Sequence, residues 1–505
     1  MLDLAFRPDS ARPEPVYRQL ADHLGELIAS GRLARGERVP PTRDLAASLG
    51  LSRNTVARAY EWLVEAGWLG AHVGRGTFVL GPPQRRAPRA GPRRGLEIVA
   101  PSFAWSALVA SRVRSLRPPR VQRAPADDAI RFDLRAGRAD VHGLPVAELQ
   151  GAWQRAVARL REHGNDFDPL GWGPLRAAIA RSLAGRGIAK HADEVLITCG
   201  AQQAIDLAAR ALVEPGDVVA MEDPGYFLAA LAFRAAGAQV VGIPVDEEGM
   251  RVEELARVVR TRRVKLCHVT PSAQVPTGVA LSQPRREALL ELADRAQMPI
   301  LEDDYECEMR SGAPLEAALA AQDGGDRVIY AGTFSKALFP GLRVGYVVGA
   351  TPLLRTLALV RMAATFQPSL LDQMALAELL ARDTLERHVR RARKRYAERS
   401  RAIAVALTEH MPAGARFREP RGGTAIWVEL PRGADADALA AAAAERGIVY
   451  GAGEAFHVEG EGAPALLLGF GALAPDALRA GVAELAGLLK RQLGRRAPVR
   501  DRRMR

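Results

Sequence analysis

The sequence predicts two folded parts of unequal size. The first is a small, mainly helical N-terminal part closed by a hairpin, and the second a large α/β part built on a mainly parallel sheet. Three observations carry that expectation. Residues 16–64 repeat apolar side chains at helical spacing between glycine stops. Residues 130–490 alternate short apolar runs with helical stretches, the pattern of a parallel sheet covered by helices. Between them, residues 82–126 hold eight prolines and ten arginines, a density that regular elements rarely survive.

A chain of 505 residues has room for two or three domains and ample core. With 48% apolar and 25% charged residues, it reads as globular, against a disordered, fibrous or disulfide-rich chain. No apolar run reaches the ~18 residues of a membrane span, and the N-terminus lacks a basic patch followed by an apolar stretch. Cys199, Cys267 and Cys307 stand far apart with no C-x-x-C spacing, so neither a disulfide framework nor a metal site is expected. The expectation is a cytoplasmic protein without a membrane partner. The net charge of +12 is uneven: +1 over residues 1–80, +9 over 81–126, +7 over 490–505 and −5 over the rest. The basic segments suit a polyanion or are simply solvated; the ratio of 65 Arg to 5 Lys points to genome composition rather than function. The expected boundaries are a head at 1–80, a basic Pro/Arg-rich linker at 81–127, a body at 128–490 and a basic tail at 491–505. A short ordered piece is expected in the linker around Phe103–Val113.

In the head, Val16, Leu20, Leu24, Leu27 and Ile28 form one helical stripe, and Gly31 supplies a stop. Thr42 can cap a second helix running through Leu49, with Gly50 as the turn. Ser52 can cap a third, with Val56, Ala59, Tyr60, Leu63 and Val64 as its buried face and Gly67 at its end. Trp68-Leu69 and Thr77–Val79 read as strands around a tip from His72 to Gly76. Helix–turn–helix followed by a β-wing is an architecture that reads duplex DNA. The first turn of the third helix carries Arg53, Asn54 and Thr55, able to meet base edges and phosphates. A winged helix used for protein contacts would need apolar anchors in that first turn instead.

In the body, Glu194–Thr198, Val218–Met221, Gln239–Val245, Lys265–Thr270, Pro299–Asp303, Arg327–Gly332 and Val344–Gly349 read as strands. Ligands of such sheets bind at the carboxyl ends of strands, and four polar motifs fall there. Lys336 follows Thr333-Phe334-Ser335; a lysine at that place can form a Schiff base with an aldehyde cofactor. Thr333, Ser335 and Arg343 offer groups for a phosphate. In Ile300–Tyr305, Asp303 and Tyr305 share a face while Asp304 points away; Asp303 could pair with a protonated pyridine nitrogen and Tyr305 with a phenolic oxygen. No neighbouring His supports a metal at that acidic triplet. Ala201 and Gln202 open a helix after a strand, where backbone N–H groups bind phosphate. Tyr226 could stack on a flat ring.

The head, from PVYRQLADHL through SRNTVARAY to GRGTFV, resembles the GntR family of winged helix-turn-helix regulators. That resemblance implies DNA contacts from Arg43, Ser52, Arg53, Asn54 and Thr55 and from the wing residues Gly74, Arg75 and Gly76. The body, from about Ile130 to Leu489, resembles the fold-type-I aminotransferases, which use pyridoxal 5'-phosphate. The order phosphate turn, stacking aromatic, Asp, Lys, Arg is theirs, with further matches at Asp168–Arg176, Thr270–Gly278 and Glu386–Arg399. Together the two parts look like a MocR/GabR-type regulator. By that resemblance Lys336 carries the cofactor, the body senses an effector (an amine, or pyridoxal phosphate itself), and the subunits pair head to tail as a homodimer.

Three departures from the aminotransferase pattern bear on activity. Ala273 stands where His commonly precedes Gln274, and Asp166 where a Tyr is expected. The Arg that grips a substrate carboxylate is missing: Leu467 occupies that slot, and Leu228 a second one. Another arginine, such as Arg361 or Arg421, could replace it from a loop. Three readings follow: a regulator with little or no transaminase turnover, an active aminotransferase with a tethered DNA-binding head, and a dimerisation scaffold with an empty pocket. The cofactor motif speaks against the third and the missing Arg against the second.

Overall fold

The computed structural model describes residues 6–9, 14–72, 76–81, 108–114, 116, 129–309, 316–324, 326–420, 422–460 and 462–496. They fall into two compact units, one within residues 1–104 and one within 105–505.

In the first unit, α1 (Val16–Ala29) buries Leu20, Ala21, Leu24, Leu27 and Ile28. Gly31 turns the chain at φ 75°, and the Leu33 N–H returns to the Leu27 carbonyl. Helix α2 (Thr42–Leu49) ends at Gly50 in the left-handed region, where a Cβ would add strain. Thr42 is not its cap. Pro41 occupies that position, its carbonyl accepting from Asp44 and Leu45, and Thr42 enters as the first helical residue. The expected cap on α3 (Arg53–Glu65) is present: the Ser52 hydroxyl accepts from the Thr55 N–H at 3.1 Å. Val56, Ala59, Tyr60 and Leu63 are buried, but Val64 is 36% exposed. At 3.6 residues per turn it lies about 90° round from the centre of that stripe. Val16 is exposed as well, in the first turn of α1. Strands β1 (Leu69–His72) and β2 (Gly76–Val79) pair antiparallel.

All seven strands expected in the second unit are present, each end within two residues. They are β4 (Val195–Thr198), β5 (Val218–Asp223), β6 (Gln239–Asp246), β8 (Val264–Val269), β9 (Ile300–Asp304), β10 (Val328–Thr333) and β11 (Gly345–Val348). With the short β7 (Gly249–Met250) they form one sheet in the order β4-β11-β10-β9-β8-β5-β6-β7. Pairs β5–β6, β5–β8, β8–β9 and β9–β10 are parallel, while β11 runs against both neighbours. The strands read as continuous Val/Ile/Leu runs because both faces are buried. Parallel pairing sends the carboxyl ends of β5, β8, β9 and β10 to one edge, and that edge holds the site.

A second sheet follows the order β12 (Arg416–Phe417), β13 (Ala425–Glu429), β15 (Ala465–Gly469), β14 (Ile448–Ala452), β3 (Phe132–Leu134). Strand β3 lies parallel to β14, with Phe132 opposite Ile448. This sheet packs on the helices Thr384–His410 and Pro475–Arg496. The last helix continues to Arg496, past residue 490 where the basic tail is expected to begin. None of the helices among the described residues is long and apolar enough to cross a membrane.

Asp140 ties the segment after β3 to the long helix Thr384–His410. Its side chain, 3% exposed, takes Arg395 at 2.6 Å and Arg399 at 3.2 Å, and its N–H donates to the Tyr396 hydroxyl. Burial works to raise the Asp140 carboxyl, but the hydrogen bonds and charges of Arg395 and Arg399 outweigh it and hold the group below the usual carboxylate range. A depressed folded-state pKa contributes stability that is fully present above the ordinary carboxylate value of about 3.9 and is lost as pH falls through the folded value. Asp140→Asn is therefore expected to lower thermal stability at pH 7 and to flatten its fall below about pH 4. Melting curves of both proteins across that range check this; parallel acid limbs would show that Asp140 is not the linked group.

Candidate cofactor site and DNA-reading head

The nine expected cofactor contacts, Ala201, Gln202, Tyr226, Asp303, Tyr305, Thr333, Ser335, Lys336 and Arg343, all line one cavity of about 670 Å³. All but Arg343 arrive from the carboxyl end of a strand or the segment just after it; Arg343 stands just before the amino end of β11. Lys336 stands three residues past β10, close enough to Gly137 that a Cβ there would lie 3.0 Å from Nζ. Thr333 and Ser335 are buried and bond through their hydroxyls at 3.0 Å.

Asp303, near the end of β9, is 3% exposed, and among the described residues its Oδ1 has no hydrogen-bond partner. The nearest base is His268, whose Nε2 lies 3.8 Å from Oδ2. Asp304 points away as expected, held by Arg186 at 2.6 Å and by the Tyr330 hydroxyl at 2.8 Å. Tyr226 lies within the electrostatic reach of Asp303 and Arg343; burial pushes its hydroxyl well up. Tyr305 is shifted the same way, by burial first and then by Glu306 and Asp303.

The helix Ala201–Leu212 follows β4 through Gly200 at φ 102°. Its first intrahelical donors are Gln203 and Ala204, both to the Gly200 carbonyl, so the N–H groups of Ala201 and Gln202 are left for a ligand. The backbone is crowded here: a Cβ on Gly345 would come within 2.6 Å of the Gly200 Cα, and one on Gly200 within 3.4 Å of the Arg343 guanidinium. No acidic side chain pairs with Arg343 among the described residues.

Of the two carboxylate slots, Leu467 lines the cavity, packed with Trp427 and Phe456. Leu228 does not; the wall is made by its neighbour Phe227, because Leu228 follows it on the helix Phe227–Ala236 and turns aside. Arg361 is no replacement. It is fully buried and donates to the carbonyls of Ile197 (2.6 Å) and Pro169 (2.8 Å). Arg421 lies outside the described residues. Asp166 sits at the surface against His163.

The cavity also brings in residues that local sequence does not mark. Arg135 and Glu306 both line it, Arg135 held by Asp133 through Nε (2.8 Å) and Nη2 (2.7 Å). Glu222, at the end of β5, accepts from the Thr270 N–H (3.1 Å) and hydroxyl (2.5 Å) and so fixes the Thr270–Gly278 loop beside the cavity. Burial pushes its carboxyl up to about 7. The Thr270 motif is legible, but its carboxylate anchor lies 48 residues away.

In the head, Arg43, Ser52, Arg53 and Asn54 are exposed and Thr55 half-buried. Among the described residues, neither Arg43 nor Arg53 meets an acidic side chain. Gly76 opens β2 at φ 100°, where a Cβ would come within 2.6 Å of the Arg38 Nε. Gly74 and Arg75, the other expected wing contacts, lie outside the described residues.

Fold and cavity define a DNA-binding head joined to a cofactor-binding α/β body of aminotransferase type. Comparison with known proteins agrees on both parts. Residues 16–79 match the model of bacterial regulatory proteins of the gntR family, and residues 162–468 that of aminotransferase class I and II. The chain is 32% identical to the "Probable rhizopine catabolism regulatory protein MocR" of Rhizobium meliloti, covering 93% of each chain. It is 33% identical to the HTH-type transcriptional regulator TauR of Rhodobacter capsulatus, covering 94% of this chain and 96% of that one. Among solved structures, LysN, an alpha-aminoadipate aminotransferase of Thermus thermophilus complexed with N-(5'-phosphopyridoxyl)-L-leucine, superposes with a TM-score of 0.70. It is 31% identical and spans 78% of this chain and 100% of its own. The chain belongs to the MocR-type transcriptional regulators, DNA-binding proteins that join a GntR head to a class I/II aminotransferase domain. Its cofactor is pyridoxal 5'-phosphate. The residues fit that group: among the described residues, Asp303 Oδ1 has no donor, the N–H pair of Ala201 and Gln202 lies open, and Arg343 meets no anion.

Proposed function

We propose that this regulator reads a small amine, or its own loading with pyridoxal phosphate, in the body and passes the result to DNA through the head. The cavity carries the reading. All nine cofactor contacts line it, while the position from which an aminotransferase grips its substrate carboxylate is the apolar Leu467. When bound, the cofactor supplies an aldehyde carbon at which primary amines exchange and a ring that withdraws electrons. Lys336 holds it covalently. Asp303 accepts from the ring N–H, Tyr226 stacks on the ring, and Tyr305 meets its phenolic oxygen. The N–H groups of Ala201 and Gln202, with Thr333, Ser335 and Arg343, take the phosphate. Arg43, Ser52–Thr55 and Gly74–Gly76 are the DNA contacts. The working unit is a cytoplasmic homodimer paired head to tail, with a head at 1–80, a basic linker to 127 and a body beyond it.

An unpaired carboxylate in such a cavity costs several kcal/mol. Ordinary α-amino acids are therefore expected to turn over weakly or not at all, and the effector to be an amine without that carboxylate, or pyridoxal phosphate alone. The complete cofactor set favours a second reading, an active aminotransferase with a tethered head. A spectroscopic screen of amino acids and simple amines against the loaded protein, followed by DNA-binding assays of apo and loaded forms, separates the two. Fast turnover of a common α-amino acid establishes the second reading. Equal DNA affinity of the apo, loaded and amine-treated forms removes the sensing role.

A further inference from the structure

Five charged side chains line the cavity: Arg135, Asp303, Glu306, Lys336 and Arg343. On the reading above, four of them are committed. Asp133 holds Arg135, the cofactor ring takes Asp303, its phosphate takes Arg343, and its carbon takes Lys336. Glu306 is left over. It is 6% exposed, and its Oε1 accepts from the Thr424 hydroxyl. Oε2 lies beside Gly423, where a Cβ would come within 2.6 Å. No hydrogen bond or ion pair reaches Oε2 among the described residues. A carboxylate this buried is costly unless a cation or donors meet it. Leu467, Phe456 and Phe227 line the same cavity and give it an apolar wall.

The geometry points to Glu306 as a specificity residue that recognises a second cationic group on the effector, so that the preferred ligand class is an aliphatic diamine. This rests on the amine-sensing reading. The ligand's first amine exchanges with that of Lys336: one C=N bond forms as another breaks, and the lysine is released as the free amine, with no oxidant required. The alkyl chain crosses the apolar wall, and the second ammonium meets Glu306 and Thr424. A monoamine of the same length leaves Glu306 unpaired, and an ω-amino acid brings a second carboxylate against it.

The test uses the full-length, cofactor-loaded protein and a series of α,ω-diamines against n-alkylamines and ω-amino acids of equal carbon count. Apparent affinity is read from the cofactor absorbance and, independently, by calorimetry. A hydrogen bond to a charged group predicts diamines binding about ten- to a hundredfold tighter than monoamines, with ω-amino acids weakest. Glu306→Gln is expected to erase that preference. The wild-type series stands by itself if the variant folds poorly. Diamines no tighter than monoamines overturn the assignment but leave the amine-sensing reading intact. If no amine shifts a protein that demonstrably carries the cofactor, both fall, and loading by pyridoxal phosphate remains as the signal.

Discussion

Replacing Lys336 with alanine is expected to abolish covalent retention of the cofactor. Borohydride reduction of the wild-type protein is expected to fix the pyridoxyl group on the chain, and mass spectrometry of its peptides to place it at Lys336. The same treatment of Lys336→Ala is expected to leave no adduct. The effect is all-or-none because covalent capture needs an amine at the cofactor carbon. Lys336 is the one lysine on the cavity wall among the described residues; Lys190, for comparison, is engaged by Glu194 and Asp326 elsewhere. The proposed phosphate and ring contacts do not involve Lys336, so Lys336→Ala is expected to bind the cofactor reversibly still, and equilibrium dialysis reads that residual binding. An adduct of unchanged stoichiometry in Lys336→Ala would mean that another amine carries the group. DNA binding by this variant, with and without pyridoxal phosphate, also shows whether the head responds to occupancy or to the covalent bond.

Arg53→Ala is expected to cost the head its sequence preference, by about 1–3 kcal/mol if Arg53 makes a good bidentate base contact. Arg53 opens α3 beside the Ser52 cap, exposed and paired with no acidic side chain among the described residues. Nothing in the fold depends on its charge, so thermal stability is expected to stay within about 0.5 kcal/mol of the parent. The comparison is competition binding of specific against scrambled duplexes at fixed salt. Substitutions in the basic linker should instead weaken all sequences alike and flatten the salt dependence. Discrimination unchanged in Arg53→Ala would take that residue off the reading face.

Much of the site was legible because its residues cluster in short segments after strands. Asp303 and Tyr305 are two residues apart on one strand and its exit, and alternation alone puts them on one side and Asp304 on the other. Thr333, Ser335 and Lys336 lie within one turn. The misses fall where a local rule met a competing neighbour. Thr42 has the chemistry of a cap, but Pro41 already occupies the position with a suitable φ and a carbonyl free to accept. Val64 is apolar, but the helix buries the side centred on Val56 and Leu63.

By itself the sequence determined the division into a helical head and an α/β body, the seven strands of the large sheet and the candidate cofactor residues that line one cavity beside it. Each is set by periodicity or by spacing within one strand and turn. Only the tertiary structure decided which distant segments close the cavity. Strand β3 reaches β14 across about 300 residues of intervening chain, and with it come Arg135 and Gly137. Glu306 meets Thr424 only because β13 packs beside the exit of β9, and Leu467 rather than Leu228 lines the cavity. Such pairings depend on how the second sheet sits against the first, which no local pattern encodes.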